Sequence, residues 1–172
     1  MIPRALRVLV LVTAVALSGV GLVPASAQDE EIAAMAAALK DINLTLQEAL
    51  KASEKEGKPI SAQFEMDDGK LQISIYASKG EDFVEVIADP KTGAIVRSEK
   101  ITDDDELSDA ADQKAAMAKA TTSLIAAADA AVNDNAGFRA VAIFPDLRDD
   151  HAIAEVTLLQ GTTARKVTEK LD

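Results

Sequence analysis

The chain has 172 residues, no cysteine and a formal charge of −11. Without cysteine there is no disulfide, no thiolate zinc site and no cysteine nucleophile. The negative charge disfavours nucleic acid and anionic lipid as partners, because both require basic patches.

Residues 1–27 carry the parts of a secretory signal in order: Arg4 and Arg7, an uncharged run from Val8 to Val23, then Pro24-Ala25-Ser26-Ala27. Small side chains before the cleavage point suit signal peptidase, so cleavage is expected after Ala27. The apolar run is shorter than the roughly 20 residues of a spanning helix, and Gly19, Gly21 and Pro24 weaken its end. The expected product starts at Gln28, has no stable membrane anchor and is periplasmic or secreted. Loss of Arg4 and Arg7, with no acidic residue removed, takes the charge from −11 to −13.

From Glu31, the apolar residues Ile32, Met35, Leu39, Ile42 and Leu46 recur at steps of three and four, which predicts a helix. Thr45 and Glu48 form a capping-box pattern, so the helix restarts there after a break near Asn43, and Gly57 ends it. The period then becomes two. Ile60 to Met66 and Leu71 to Ile75 alternate around Asp68-Gly69, a hairpin turn. Phe83 to Ala88 and Ala94 to Ile101 read as two more strands around Asp89-Pro90-Lys91-Thr92-Gly93. The acidic segment 102–107 reads as a linker. A single alanine-rich helix is expected from Ser108 to about Asn133. Strands follow at Phe138 to Phe144, Ala152 to Leu159 and Thr162 to Thr168, with a turn between the first two that contains Pro145-Asp146 and Asp149-Asp150.

The two halves read as copies of one unit. Gly57 and Gly137, Ala62 and Ala142, and Phe64 and Phe144 are each 80 residues apart, and Gly80 and Gly161 are 81 apart. The second copy lacks the Asp-Pro-x-x-Gly turn and the strand after it.

Ile42-Asn43-Leu44-Thr45-Leu46-Gln47-Glu48-Ala49, Gly57, Asp68-Gly69 and Asp89-Pro90-Lys91-Thr92-Gly93 together resemble a PepSY domain. This small module occurs in propeptides of thermolysin-type metalloproteases and in many exported bacterial proteins. The resemblance covers residues 42–101, and the second half joins it through the repeat. It implies an α+β fold of two PepSY-like repeats, 28–101 and 108–172. Each would be a helix, broken in the first, packed on a three- to four-stranded antiparallel sheet. It also implies a non-enzymatic role, with regulation of a peptidase in the cell envelope as the function proposed for the family. The matching residues are caps, turns and core positions, so no functional residue is carried over.

No catalytic set is legible. His151 is the only histidine, so no two-histidine metal site can be assembled, and the glycines stand singly in turns, so there is no phosphate-binding glycine loop. The weak metal candidates are Asp149, Asp150 and His151 at one turn, and Asp103 and Asp105 in the acidic run. The simpler readings are a turn and a helix N-terminus favoured by the macrodipole. Phe64, Phe83, Phe138 and Phe144 are expected in the core. No cofactor is expected. The favoured partner is a protein, with a peptidase as the class, docked on a sheet edge such as Thr162 to Thr168 or between the repeats. Arg165, Lys166 and Lys170 would oppose docking on that edge. The alternative is a periplasmic protein that binds a small ligand or cation in the cleft between helix and sheet.

Overall fold

The computed structural model describes residues 25–172, with side chains from residue 29. The expectations for residues 1–24 lie outside these residues, and Ala25-Ser26-Ala27 open the first helix. Among the described residues the fold is α+β, with four α-helices and one antiparallel sheet. The helices are α1 (Ala25–Ala38), α2 (Leu46–Ser53), α3 (Asp104–Lys119) and α4 (Leu124–Asp134), and a 3₁₀ turn spans Leu39–Asp41. The strands are β1 (Lys58–Asp67), β2 (Lys70–Lys79), β3 (Asp82–Ala88), β4 (Ile95–Lys100), β5 (Arg139–Arg148), β6 (His151–Gln160) and β7 (Thr163–Lys170). Among the described residues no helix is long and apolar enough to cross a membrane.

Local chemistry explains the boundaries. Glu48 N–H donates to Thr45 Oγ1 at 3.2 Å, and Thr45 N–H donates to Glu48 Oε2 at 2.7 Å, which closes the capping box of α2. Asp68-Gly69 and Asp149-Asp150 both have positive φ at two successive residues, the backbone that tight hairpins require. Asp89 Oδ1 accepts from Lys91 N–H, Thr92 N–H and Thr92 Oγ1, so Asp89 organises the β3–β4 turn. Gly57 lies beyond the end of α2. A Cβ there would stand 2.8 Å from Ser78 O and 3.2 Å from Ala77 Cβ, so the position needs glycine for close approach to β2.

The structure corrects three expectations about element boundaries. The helix expected over 108–133 is two helices, α3 and α4. Thr121 and Thr122 turn their N–H groups onto Leu171 O at 2.6 and 2.8 Å, which stops α3, and Ser123 starts α4 by accepting from Ala126 N–H. The acidic linker is mostly helix. Asp103 is its N-cap, accepting from Asp105 and Glu106 N–H, and Asp104, Asp105 and Glu106 occupy the first turn, where the macrodipole favours them. Pro145 lies inside β5, not in a turn. β5 pairs with β1 only at Ala62↔Ile143 and Gln63↔Ala142, so the missing N–H of Pro145 falls where there is no β1 partner.

The seven strands form one sheet in the order β4-β3-β2-β1-β5-β6-β7. Its apolar face carries Ala62, Phe64, Ile73, Ile75, Val86, Ile143 and Val156 in register. α2 and α4 pack on this face and on each other through Leu46, Ala49, Leu50, Leu124, Ala127, Ala128 and Ala131, all buried. Each large side chain fully buried there contributes about 1.5–3 kcal/mol. Of the four phenylalanines, Phe64 is buried in this core, whereas Phe83 and Phe138 are half-buried against it and Phe144 is partly exposed.

The opposite face is more polar. Gln63, Ser74, Tyr76, Glu85, Arg97, Ala142 and Thr157 share it by register. α3 packs on β1, β2, β5 and β6. Lys114 Nζ stands 5.3 Å from the ring centre of Phe83, and Glu106 and Asp109 act electrostatically on Tyr76. Phe83 lies on the polar face by register, so its contact with Lys114 places α3 over that face and the central strands are covered on both sides.

The segment after β7 is built into the fold. Leu171 is buried, its N–H donates to Ala152 O at 2.9 Å, and its carbonyl accepts from the α3–α4 connection. Leu171→Ala is therefore expected to cost about 2–5 kcal/mol by urea unfolding, the range for truncating a buried leucine. A cost below about 1 kcal/mol would show that this segment is not part of the core.

Candidate interaction site

Among the described residues, the sheet order leaves β4 and β7 without an outer neighbour. An edge strand presents a row of unpaired N–H and C=O groups, and these can pair with an extended segment of another chain. β7 is the longer edge, eight residues against six. It carries Arg165, Lys166 and Lys170 against the single carboxylate Glu169, within a strongly acidic chain.

Two of those cations are folded onto the sheet faces and do not stand across the edge. Arg165 donates to Asn135 Oδ1 at 2.6 Å, and its guanidinium carbon stands 4.9 Å from the ring centre of Phe138. Lys166 Nζ is 3.2 Å from Glu155 Oε2, and Arg148 Nη2 donates to the other oxygen, Glu155 Oε1, at 3.0 Å. Because side chains of a strand stand perpendicular to the sheet, these pairs leave the outer main chain of β7 open. β4 has its own ion pairs, Lys100 with Asp82 and Arg97 with Glu85, and bears Val96, which is 64 % exposed.

The polar face forms a second cluster. Gln63 Nε2 and Gln72 Nε2 donate to the two oxygens of Glu65 at 3.0 and 2.6 Å, and Ser74 Oγ donates to Glu85 Oε1 at 3.0 Å. Burial pushes the Glu65 carboxyl up, the hydrogen bond from Gln72 opposes this, and the charge of Glu85 adds to it. Gln63 Oε1, Tyr76 Oη, Arg97 Nε and Gln113 Oε1 are buried without hydrogen-bond partners. Arg97 Nε does lie 3.6 Å from Glu99 Oε2, an ion-pair distance too long for a hydrogen bond. Burial raises the Tyr76 phenol far above its ordinary pKa, and the carboxylates of Glu106, Glu85, Glu65 and Asp109 raise it further.

The metal candidates fall at separate structural posts. Asp103 caps α3 and Asp105 lies in its first turn. Asp149 and Asp150 form the β5–β6 hairpin turn, and Asp150 pairs with Lys119, which holds its carboxyl low. His151 Nδ1 is 2.8 Å from Asp172 Oδ2, and that hydrogen bond is the main cause of a lowered Asp172 pKa. Among the described residues no group of three or more His, Cys, Asp or Glu side chains is placed to hold a metal ion.

Sequence reasoning identified β7 but missed the polar face. A glutamine or serine in an alternating strand ordinarily marks the solvent side, and nothing in the pattern announces that α3 covers it. The one available signal was Gln113, a polar residue in the alanine-rich stretch.

Removing the Tyr76 hydroxyl isolates its cost. Tyr76→Phe is expected to be as stable as the wild type at pH 7, or more stable by about 1–3 kcal/mol, because a buried hydroxyl without a partner is lost. The raised phenol pKa favours the fold fully below about pH 10, the unfolded value. Above it stability falls as pH rises, because the unfolded chain ionises while the folded chain does not. Urea unfolding from about pH 8 to 11 should show that fall diminished in Tyr76→Phe. An equal fall in both proteins would contradict the assignment. The chain matches no protein-family model, no curated protein and no solved structure.

Proposed function

We propose that this chain is an exported, non-enzymatic interaction module that takes an extended segment of a partner protein as an added strand on β7. The observation that carries the reading is the uncovered outer main chain of β7, eight residues long, with Arg165 and Lys166 drawn onto the faces. Main-chain hydrogen bonds supply affinity in such docking, and alternate side chains supply specificity. A peptidase of the cell envelope is the proposed partner class, on the strength of the PepSY resemblance in residues 42–101. Export to the periplasm or medium is the companion proposal, from the signal pattern of residues 1–27.

A tandem-repeat origin belongs to the same reading. An offset of 80 maps Ala62 to Ala142 and Gln63 to Ile143. Applied to the junction, it exchanges the pair Ala62↔Ile143 with the pair Gln63↔Ala142, as a two-fold relation between the halves would. The helix–helix–strand order of each half supports it, with four strands after α2 and three after α4.

The test is affinity capture of residues 28–172 from an envelope extract of the host, with proline placed in β7 as the control. In an antiparallel pair, successive residues alternate between facing the neighbour and facing away. Of Lys166→Pro and Val167→Pro, therefore, one removes an outward N–H and leaves the β6 ladder intact; circular dichroism and thermal melting identify it. The wild type is expected to retain a defined protein, and the folded proline variant to lose at least tenfold of it, about 1.4 kcal/mol. Undiminished retention by that variant would rule out β7 as the docking edge.

A further inference from the structure

A groove of about 300 Å³ lies where α1 and the 3₁₀ turn meet the start of β5 and the β6–β7 turn. Ala33, Ala36 and Ala37 line it from α1, and Leu159 from the end of β6. Small side chains on the helix leave room for an apolar group of moderate size.

Two cations border this apolar slot, Lys40 and Arg139. Arg139 is held rigidly. Its Nη1 donates to Ile42 O at 2.9 Å and Leu39 O at 3.4 Å, its Nη2 donates to Leu44 O at 2.8 Å, and its guanidinium carbon is 5.2 Å from the ring centre of Phe64. Those partners are carbonyl dipoles and a ring face. Among the described residues no carboxylate pairs with Arg139 or Lys40, although acidic residues outnumber Lys and Arg by 29 to 18 in the chain. Burial alone lowers the Arg139 pKa, with no neighbouring charge to offset it. A partly desolvated cation without a counter-charge favours an anion brought from outside.

The groove is continuous with the edge. Gly161 and Thr162 belong to its lining and lead directly into β7 at Thr163. β7 runs from Thr163 to Lys170, so a strand added antiparallel to it runs the other way and brings its carboxyl end to Thr163. The end of such a strand therefore arrives at the slot and its two cations.

We propose that the groove receives the C-terminal residue of a partner strand laid antiparallel on β7, its apolar side chain between α1 and Leu159 and its carboxylate facing Lys40 and Arg139. The inference rests on the β7 reading and adds the partner's chemistry, a free C-terminus with an apolar last residue.

The experiment probes an array of random hexapeptides with free C-termini, and the same peptides amidated, with residues 28–172 of the wild type. Lys40→Glu and Ala36→Leu are probed in parallel, the first reversing a charge and the second filling the slot. Arg139 is left intact because it pins the backbone from Leu39 to Leu44. Retained peptides are expected to end in an apolar residue and to bind at least about tenfold better as free acids than as amides, and both variants should lose that preference. Equal binding of both forms, abolished by the folded β7 proline variant, would overturn the groove assignment while keeping the β7 edge. No peptide retained by the wild type would overturn both.

Discussion

The fold depends on the junction between β1 and β5. Pairing there is recorded at two positions, Ala62↔Ile143 and Gln63↔Ala142, yet it joins four strands to three in a single sheet. Its register also aligns the faces. Ala62 and Ile143 continue the apolar row from Val86 through Ile75 to Val156, and Gln63 and Ala142 continue the polar row from Ser74 to Thr157. A slip of one residue would place Phe64 on the side of α3 and Gln63 among the leucines of α2, so the hydrophobic pattern fixes the pairing. α2 and α4 meet on the apolar face and span the junction from above.

With the faces fixed, the helices divide the work unequally. The pair α2 and α4 closes a core of Leu, Ile, Val and Phe, where apolar burial supplies most of the stability. α3 lies on the polar face through Ala110, Gln113, Ala116 and Met117, small enough in the main for close approach. Orphaned atoms on both sides of that contact, Gln63 and Tyr76 from the sheet and Gln113 from the helix, make it the less well satisfied layer. The sheet ends are different again. Two of the three cations of β7 are tied to Asn135 and Glu155, which leaves its outer main chain available.

Much of this was legible in the sequence because it rests on local chemistry. The Thr45–Glu48 box, the Asp68-Gly69 turn, the Asp89 turn and the alternation of β1 and β2 each have a cause within a few residues, and each appears at its expected place. What could not be read depends on distant partners. The break between α3 and α4 requires Leu171, fifty residues beyond Thr121, to supply a carbonyl. Pro145 sits in a strand because β1 has ceased to pair there, a fact of the sheet and not of the segment. At the candidate site, β7 itself was foreseeable from the turn at Gly161, which stands 81 residues after Gly80. The groove was not, since Arg139 and Lys40 are about a hundred residues apart in sequence and converge only because the 3₁₀ turn packs on β5.

Amide hydrogen exchange of residues 28–172, free in solution and resolved by residue, tests the account most directly. One cooperative sheet with an open β7 edge predicts that Ala62, Gln63, Ala142 and Ile143 belong to the slowest-exchanging class. It predicts that β7 amides alternate between protected and fast, as a strand paired on one side does. Separate exchange levels for the two halves would contradict the single sheet, and uniform protection along β7 would show that its edge is already occupied.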